Sequence, residues 1–358
     1  VNPVSVSPVP AFALLKSGGR LAPVRYQPRA LRDDDVRIDI AYAGICHSDI
    51  HVVREEWHPA LLPLVPGHEI TGVVREVGAG VTRHRPGDRV GVGCMVDSCG
   101  ECEFCRAGRE QFCSREPVMT YNVRGYDGEP TRGGYARQIT VTERFVVSIP
   151  DALALDVAAP LLCAGITTWE PLVRWGVGPG SRVAVVGLGG LGHVAVKLAR
   201  ALGAEVTVIS RSTAKKADAE DLGAAHYLAT ADAGAFGGAR SAFDLLINTV
   251  SSGIDLSELL RSVRPLGVVV NLGLPVDLYS VHPYALVQGS KVLAGSNIGG
   301  IAATQQMLDF CGARGVGAQI ETIDATAVND AYDRVVAGAA RYRVVIDVAT
   351  IPDGGPLI

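Results

Sequence analysis

Four cysteines, Cys99, Cys102, Cys105 and Cys113, form a C-x₂-C-x₂-C-x₇-C run that constrains this chain more than any other feature. Four thiolates at that spacing can wrap one tetrahedral zinc inside a short loop, and Gly100 and Gly108 supply its sharp turns. The segment 94–115 carries little apolar content, so the metal must provide its order. Without a metal, four surface thiols in fifteen residues would be prone to oxidation. The acidic neighbours Glu101, Glu103 and Glu110 weigh against nucleic-acid binding by such a lobe. The stretch Val1–Pro10 has no basic start and no sustained apolar centre, so no export signal is read there, and a cytoplasmic location is expected. That setting favours metal thiolates over disulfides.

At 358 residues the chain exceeds one ordinary core and fits two domains. No apolar run approaches the roughly 18–20 residues needed to span a bilayer, so no membrane partner is expected. Net charge is −4 and the cations are scattered, which argues against nucleic acid as a partner. Short alternating runs such as Val36–Ile40 and Thr71–Val77, broken by Gly and Pro, predict β-rich, barrel-like structure up to about Pro150. Beyond it the pattern changes to strand Arg182–Val186, helix Gly190–Leu202 and strand Glu205–Ile209, the signature of a parallel sheet. A charged helix over Thr213–Leu222 and strands at Leu245–Asn248, Val268–Asn271 and Val292–Ala294 extend it to a doubly wound sheet. Helices at Ala303–Ala313 and Ala325–Ala337 and a strand at Arg343–Val348 are assigned back to the first domain. The expected fold is α/β, with one domain over 1–150 and 297–358 and a second over 151–296.

Two more motifs carry chemistry. Gly44-Ile45-Cys46-His47-Ser48-Asp49 and Gly67-His68-Glu69 each offer a zinc ligand, and Cys163 in Leu161-Leu162-Cys163-Ala164-Gly165 stands in sequence order to supply a third. Singly, each would read as an inert core residue; the joint pattern favours metal. Gly187-Leu188-Gly189-Gly190-Leu191-Gly192 follows a predicted strand and opens a predicted helix, the context that gives a G-x-G-x-x-G run its dinucleotide-binding meaning. Where an NAD enzyme would offer a carboxylate to the ribose, the second strand ends Ser210-Arg211-Ser212, followed by Lys215 and Lys216. Hydroxyls and cations suit a 2′-phosphate, so NADP(H) is expected. The alternative is a solvated helix face that leaves cofactor choice open.

Together with Pro86-Gly87-Asp88-Arg89-Val90-Gly91-Val92-Gly93-Cys94, the Gly133-Gly134-Tyr135-Ala136 turn and Ile166-Thr167-Thr168, these motifs resemble the zinc-dependent medium-chain alcohol dehydrogenases, in particular their cinnamyl alcohol dehydrogenase-like branch. The resemblance runs from about Pro23 to the end. It implies a GroES-like catalytic domain plus a Rossmann domain, and two Zn²⁺ per chain. Cys46, His68 and Cys163 would hold the catalytic zinc, the two-thiolate, one-imidazole set known for alcohol dehydrogenase. Glu69 would be a carboxylate close to the metal. Asp49 would orient His68 by accepting its free ring N–H, or else cap a turn or helix. Thr167, Thr249, Gly273, Ser296, Asn297 and Ile298 would line the cofactor, and Arg341 would reach its phosphates. Ser48 and His51 would relay the hydroxyl proton through the nicotinamide ribose. Homodimerisation through the sheet edge near Val292–Ile298 is implied as well.

The large aromatics that plant lignin members carry at the positions of Met119 and Asn297 are absent, which weakens a cinnamyl assignment. Trp57, Met119, Trp169 and Ile298 can form a pocket or core. The expected activity is reversible hydride transfer between NADP(H) and a small-molecule primary alcohol or aldehyde. Two rivals remain: a conjugate or iminium reductase, whose usual hint is an altered relay, and a non-catalytic NADPH sensor, which should have lost a zinc ligand.

Overall fold

A computed structural model describes residues 7–231, 236–251, 254–275 and 278–358. Val1–Val6, where the stretch read for an export signal begins, lie outside the described residues. The chain divides into two compact units, Val1–Cys163 with Gly299–Ile358, and Ala164–Ile298.

The first unit is built on a seven-stranded sheet. Strands Ile320–Asp324, Arg343–Asp347, Asp35–Ile45, Ile70–Val77, Arg89–Val92 and Val147–Ser148 lie side by side in that order, and Gln138–Thr142 also pairs with Asp35–Ile45. All pairings are antiparallel except that of Ile320–Asp324 with Arg343–Asp347. Alternate residues Val36, Ile38 and Ile40 point inward with Ile70, Val74, Val90, Val344 and Ile346, and this apolar face fixes the register. The hairpin Val9–Ala13 with Ala22–Tyr26 and the strand Ile320–Asp324 have weak alternation, and sequence reasoning did not find them.

Residues 151–163, placed with the second domain by the change of texture after Pro150, belong to the first unit. The helix Leu155–Ala158 and the 3₁₀ turn Ala159–Leu162 pack on the strands Asp35–Ile45 and Ile70–Val77. The hydroxyl of Thr71 donates to the Leu155 carbonyl at 2.8 Å. The short apolar turns look like helix entry, but their faces are buried on the first sheet.

The second unit is a six-stranded parallel sheet with the spatial order His226–Ala229, Glu205–Ser210, Arg182–Val186, Phe243–Asn248, Val263–Asn271, Val292–Gly295. Strand order reverses between Arg182–Val186 and Phe243–Asn248, the switch point at which such sheets bind ligands beyond their carboxyl ends. Val186, Ile209, Leu246, Leu259 and Val269 belong to its buried core. Among the described residues no helix is long and apolar enough to cross a membrane.

Candidate active site

Three strand ends build the principal site. Asp35–Ile45 runs out at Cys46, Ile70–Val77 begins directly after His68 and Glu69, and Arg343–Asp347 begins with Arg343. The antiparallel register sets Ile45 opposite Val344 and Ala43 opposite Ile70. The Gly44 N–H donates to the Glu69 carbonyl at 2.8 Å. Cys163 follows the 3₁₀ turn Ala159–Leu162 into the same place. One ligand atom each from Cys46, His68, Glu69 and Cys163 lies within 4.8 Å of the others, and all four residues are buried.

Asp49 holds this group together. Cys46 caps the helix His47–Val53, and the carboxylate of Asp49 accepts the Cys46 N–H at 2.9 Å, as a residue in the first turn can. Its other oxygen accepts the Gly67 N–H at 3.2 Å and faces Nδ1 of His68 at 3.0 Å. One Asp49 side chain thus bonds both the start of this helix and the His68 ring. With Nδ1–H donated to Asp49, the lone pair of Nε2 is left for a metal.

The charges ask for a cation. The Cys46 and Cys163 sulfurs are 3.9 Å apart and out of water. Contact with Cys163 draws the Cys46 thiol well below its ordinary value, and the Cys163 thiol is pushed up by the same contact. The pair alone carries one negative charge comfortably; a second thiolate needs a dication beside it. Burial pushes the Glu69 carboxyl up to about 8, against the pull of Arg343, which ion-pairs with its Oε1. Glu69 Oε2 is buried without a hydrogen-bond partner among the described residues. Two soft sulfurs, one imidazole and an uncommitted carboxylate oxygen fit zinc. A Cβ on Gly44 would lie 2.0 Å from that oxygen, so only glycine leaves the carboxylate room.

Ser48 and His51 lie on the same short helix. The Ser48 hydroxyl is 3.6 Å from the Cys46 sulfur. Nδ1 of His51 bonds to the Glu56 carboxylate, and the imidazole stacks on Trp57 with ring centroids 4.6 Å apart. Trp57 is 40% exposed, so it is no core residue.

Sulfurs of Cys99, Cys102, Cys105 and Cys113 also lie within 4.8 Å of one another. Backbone N–H groups point at them: Cys99 N–H to Cys113 at 3.4 Å, Cys102 N–H to Cys99 at 3.4 Å, Cys105 N–H to Cys102 at 3.5 Å. Such bonds favour thiolates, and the one from Cys105 draws Cys102 down to about 5. Gly100 and Gly108 have positive φ, as the tight loop requires. Glu110 in this lobe accepts the N–H of Ile301 at 3.0 Å, tying it to the helix Ile301–Arg314.

In the second unit the glycine-rich loop links strand Arg182–Val186 to helix Gly192–Ala201. Gly187 has φ of +88°, and a Cβ on Gly192 would sit 2.0 Å from the Gly187 carbonyl oxygen. Nothing lies within 4 Å of a Cβ built on Gly189. Packing does not demand glycine there, whereas close approach of a pyrophosphate to the backbone does. The Thr249 hydroxyl donates to the Val186 carbonyl at 2.8 Å, and a Cβ on Gly273 would meet the Val250 carbonyl oxygen at 1.9 Å. Thr249 flanks the loop, its hydroxyl also lying 3.4 Å from the Gly187 carbonyl. Ser210 ends its strand and Arg211 and Ser212 follow it; the Lys215 ammonium returns to donate to the Leu188 carbonyl at 2.7 Å. Lys216 instead lies 3.9 Å from Glu220 along the exposed helix. Thr167 is buried on the helix Ala164–Arg174, Ser296 donates to Glu170 at 2.9 Å, and Asn297 and Ile298 end the unit. Arg341 belongs to the first unit, where it contacts the Gly338 carbonyl at 3.4 Å.

Sequence reasoning missed Arg343 and gave Tyr135 no role. A charged residue opening the apolar run Val344-Val345-Ile346 was the available signal for the first. Tyr135, in the glycine-glycine turn, donates to Asp49 at 3.3 Å, a contact that no spacing reveals.

Residues 32–151 match the family described as alcohol dehydrogenase GroES-like domain, and residues 190–313 the family described as zinc-binding dehydrogenase. A probable formaldehyde dehydrogenase of Bacillus subtilis is 54% identical over 90% of this chain and 93% of its own. The NADP-dependent alcohol dehydrogenase C of Mycobacterium bovis is 51% identical over 97% of this chain and 100% of its own. A cinnamyl alcohol dehydrogenase of Sorghum bicolor superposes with a TM-score of 0.94 at 42% identity, covering 97% of this chain and 100% of its own.

Proposed function

The chain belongs to the zinc-binding alcohol dehydrogenases with a GroES-like domain, and on that footing we propose that Cys46, His68 and Cys163 hold the catalytic zinc of an NADPH-dependent reductase of primary aldehydes. The protein is an enzyme, a zinc-dependent oxidoreductase that interconverts alcohol and aldehyde with NADP(H). When bound, zinc supplies Lewis-acid polarisation of the carbonyl and NADPH supplies the hydride.

The chain's own residues do the rest. Asp49 orients His68, and Arg343 balances Glu69, whose free oxygen can approach the metal as water or substrate exchanges. Ser48, beside the Cys46 sulfur, would donate the proton that the product oxygen needs, and His51, held at Nδ1 by Glu56, would be the base that exchanges it with solvent; the cofactor, when bound, would supply ribose hydroxyls to that relay. Trp57 forms an apolar wall beside His51 that suits allylic, aromatic or aliphatic chains. In the second unit Gly187–Gly192 receives the pyrophosphate, Ser210, Arg211, Ser212 and Lys215 the 2′-phosphate, and Thr167, Thr249, Gly273, Ser296, Asn297 and Ile298 line the cofactor.

The enzyme works as a homodimer through the sheet edge near Val292–Ile298, where Val292–Gly295 is the outer strand among the described residues and Val292 is exposed. It acts in the cytoplasm, where metal thiolates stay reduced.

The buried two-sulfur, one-imidazole donor set beside an unpartnered carboxylate oxygen carries this reading. Following cofactor absorbance over a panel of aliphatic, allylic and aromatic aldehydes tests it. NADPH oxidation with at least one class, and slower turnover with NADH, is expected. No turnover of any aldehyde by the two-zinc protein would refute it.

A further inference from the structure

Behind the metal ligands lies a line of buried hydroxyls that the reaction does not use. Asp49 is fully buried, so each of its oxygens must be satisfied by protein groups. The oxygen that accepts the Cys46 N–H also accepts the hydroxyl of Tyr135 at 3.3 Å. The hydroxyl of Tyr332 in turn donates to Tyr135 at 3.4 Å, which leaves the Tyr135 proton directed at Asp49.

Neither ring is free to move. Tyr135 is held by backbone bonds from its own N–H to Pro66 and from the Gly134 N–H to Gly67, the two residues before His68. A Cβ on Gly67 would lie 2.5 Å from the Tyr135 ring, so the aromatic face is pressed on the backbone that carries the ligand. Tyr332 comes from the distant helix Val328–Val336 and meets Tyr135 edge to face, with centroids 6.4 Å apart. A third buried tyrosine, Tyr121, lies along the His68 ring at 5.8 Å.

We propose that Tyr135, backed by Tyr332, is a positioning residue for the catalytic metal: its hydroxyl fixes the Asp49 carboxylate that orients His68. Ligand support passes from zinc-binding imidazole to carboxylate to phenol, and ends on a helix near the far end of the chain. The inference rests on reading Cys46, His68 and Cys163 as the metal ligands. Outer hydrogen bonds of this kind are worth roughly 10–100-fold in metal affinity.

The test is zinc release from the holoenzyme to a chromophoric chelator, with the catalytic phase identified in the native protein by its coincidence with loss of activity. Tyr135→Phe removes one oxygen and keeps the ring. It should speed the catalytic phase by about tenfold or more and leave the other zinc unchanged. Tyr332→Phe should fall between it and the native protein. The ligand-field bands of cobalt placed in the catalytic site should shift in Tyr135→Phe. Tyr26→Phe, which removes a buried hydroxyl bonded to the Gln138 carbonyl at 2.6 Å, should release both zincs at native rates. A native protein with two zincs and a Tyr135→Phe variant indistinguishable from it would overturn the proposal while leaving the ligand reading intact. Equal acceleration of both phases would overturn it as mere loosening of the fold. A native protein that holds one zinc would overturn the ligand reading and this proposal together.

Discussion

Arg343 and Glu69 form an ion pair from which water is excluded, with side chains 4% and 0% exposed. They lie 274 residues apart in the chain and meet because the strand that begins with Arg343 pairs with the strand that ends at Ile45. Burial beside the Cys46 sulfur raises the Glu69 carboxyl, and the Arg343 guanidinium is the fixed cation that favours its ionised form. The pair commits Oε1 and leaves Oε2 available.

Breaking that pair from the cation side should therefore be costly. Above the Glu69 value of about 8, Arg343→Leu leaves an ionised Glu69 buried without its counter-charge, and a loss of about 3–5 kcal/mol in urea unfolding is expected there, shrinking toward neutral pH as the carboxyl takes up a proton. Adding Glu69→Gln to Arg343→Leu should recover a good part of the loss, because the stranded charge is gone. A single variant as stable as the native protein would contradict the account.

Two glycines of one loop should respond oppositely. Gly189→Ala places its methyl in open space, so stability should hold within about 0.5 kcal/mol. NADPH affinity should nevertheless fall, on the order of tenfold, or about 1.4 kcal/mol, because the methyl occupies the approach of the pyrophosphate. Gly192→Ala collides with the Gly187 carbonyl at 2.0 Å and should destabilise the second unit itself. Thermal unfolding with and without NADPH separates the two effects.

Much of this site could be read before any coordinates. Every cysteine in the two sulfur clusters is announced by spacing or by a turn motif, because zinc ligands must sit on short, glycine-shaped connections. The glycine-rich loop and the parallel strands around it are equally plain, since buried strands read as apolar runs. What escaped was set by tertiary pairing. Arg343 gains its meaning from a strand register, and Tyr135 from a turn packed under His68. The outer strands His226–Ala229 and Ile320–Asp324 are half-exposed and lack the alternation that marks a strand. Residues 151–163 were misassigned for a related reason: the sequence shows that a segment is apolar but not which sheet it covers.

The relay makes a kinetic prediction. Ser48→Ala should lower kcat by about 10²–10⁴-fold while NADPH binding and zinc content stay native. Cofactor fluorescence and metal analysis check the second half. A variant that keeps full turnover would remove Ser48 from the proton path.

The four-cysteine lobe should be acid-sensitive. Cys102 is drawn from an ordinary thiol value of 9.0 to about 5 by the Cys105 N–H. A depressed thiol stabilises the folded lobe at high pH, and that contribution fades as pH falls through about 5. Protonation also removes a zinc ligand. Zinc retained after dialysis should be complete at neutral pH and fall as the solution is acidified, and Cys102→Ser should lose this zinc already at neutrality.

If Cys46, His68 and Cys163 jointly hold one zinc on which turnover depends, separate from the zinc of the cysteine lobe, removing one of these ligands must remove one ion and the activity together. Zinc analysis of the purified native protein beside Cys163→Ala tests it most directly. Two zinc ions per chain are predicted for the native enzyme, and one zinc with no aldehyde reduction for the variant. One zinc in the native protein, or a Cys163→Ala variant that keeps both ions and its turnover, would contradict it.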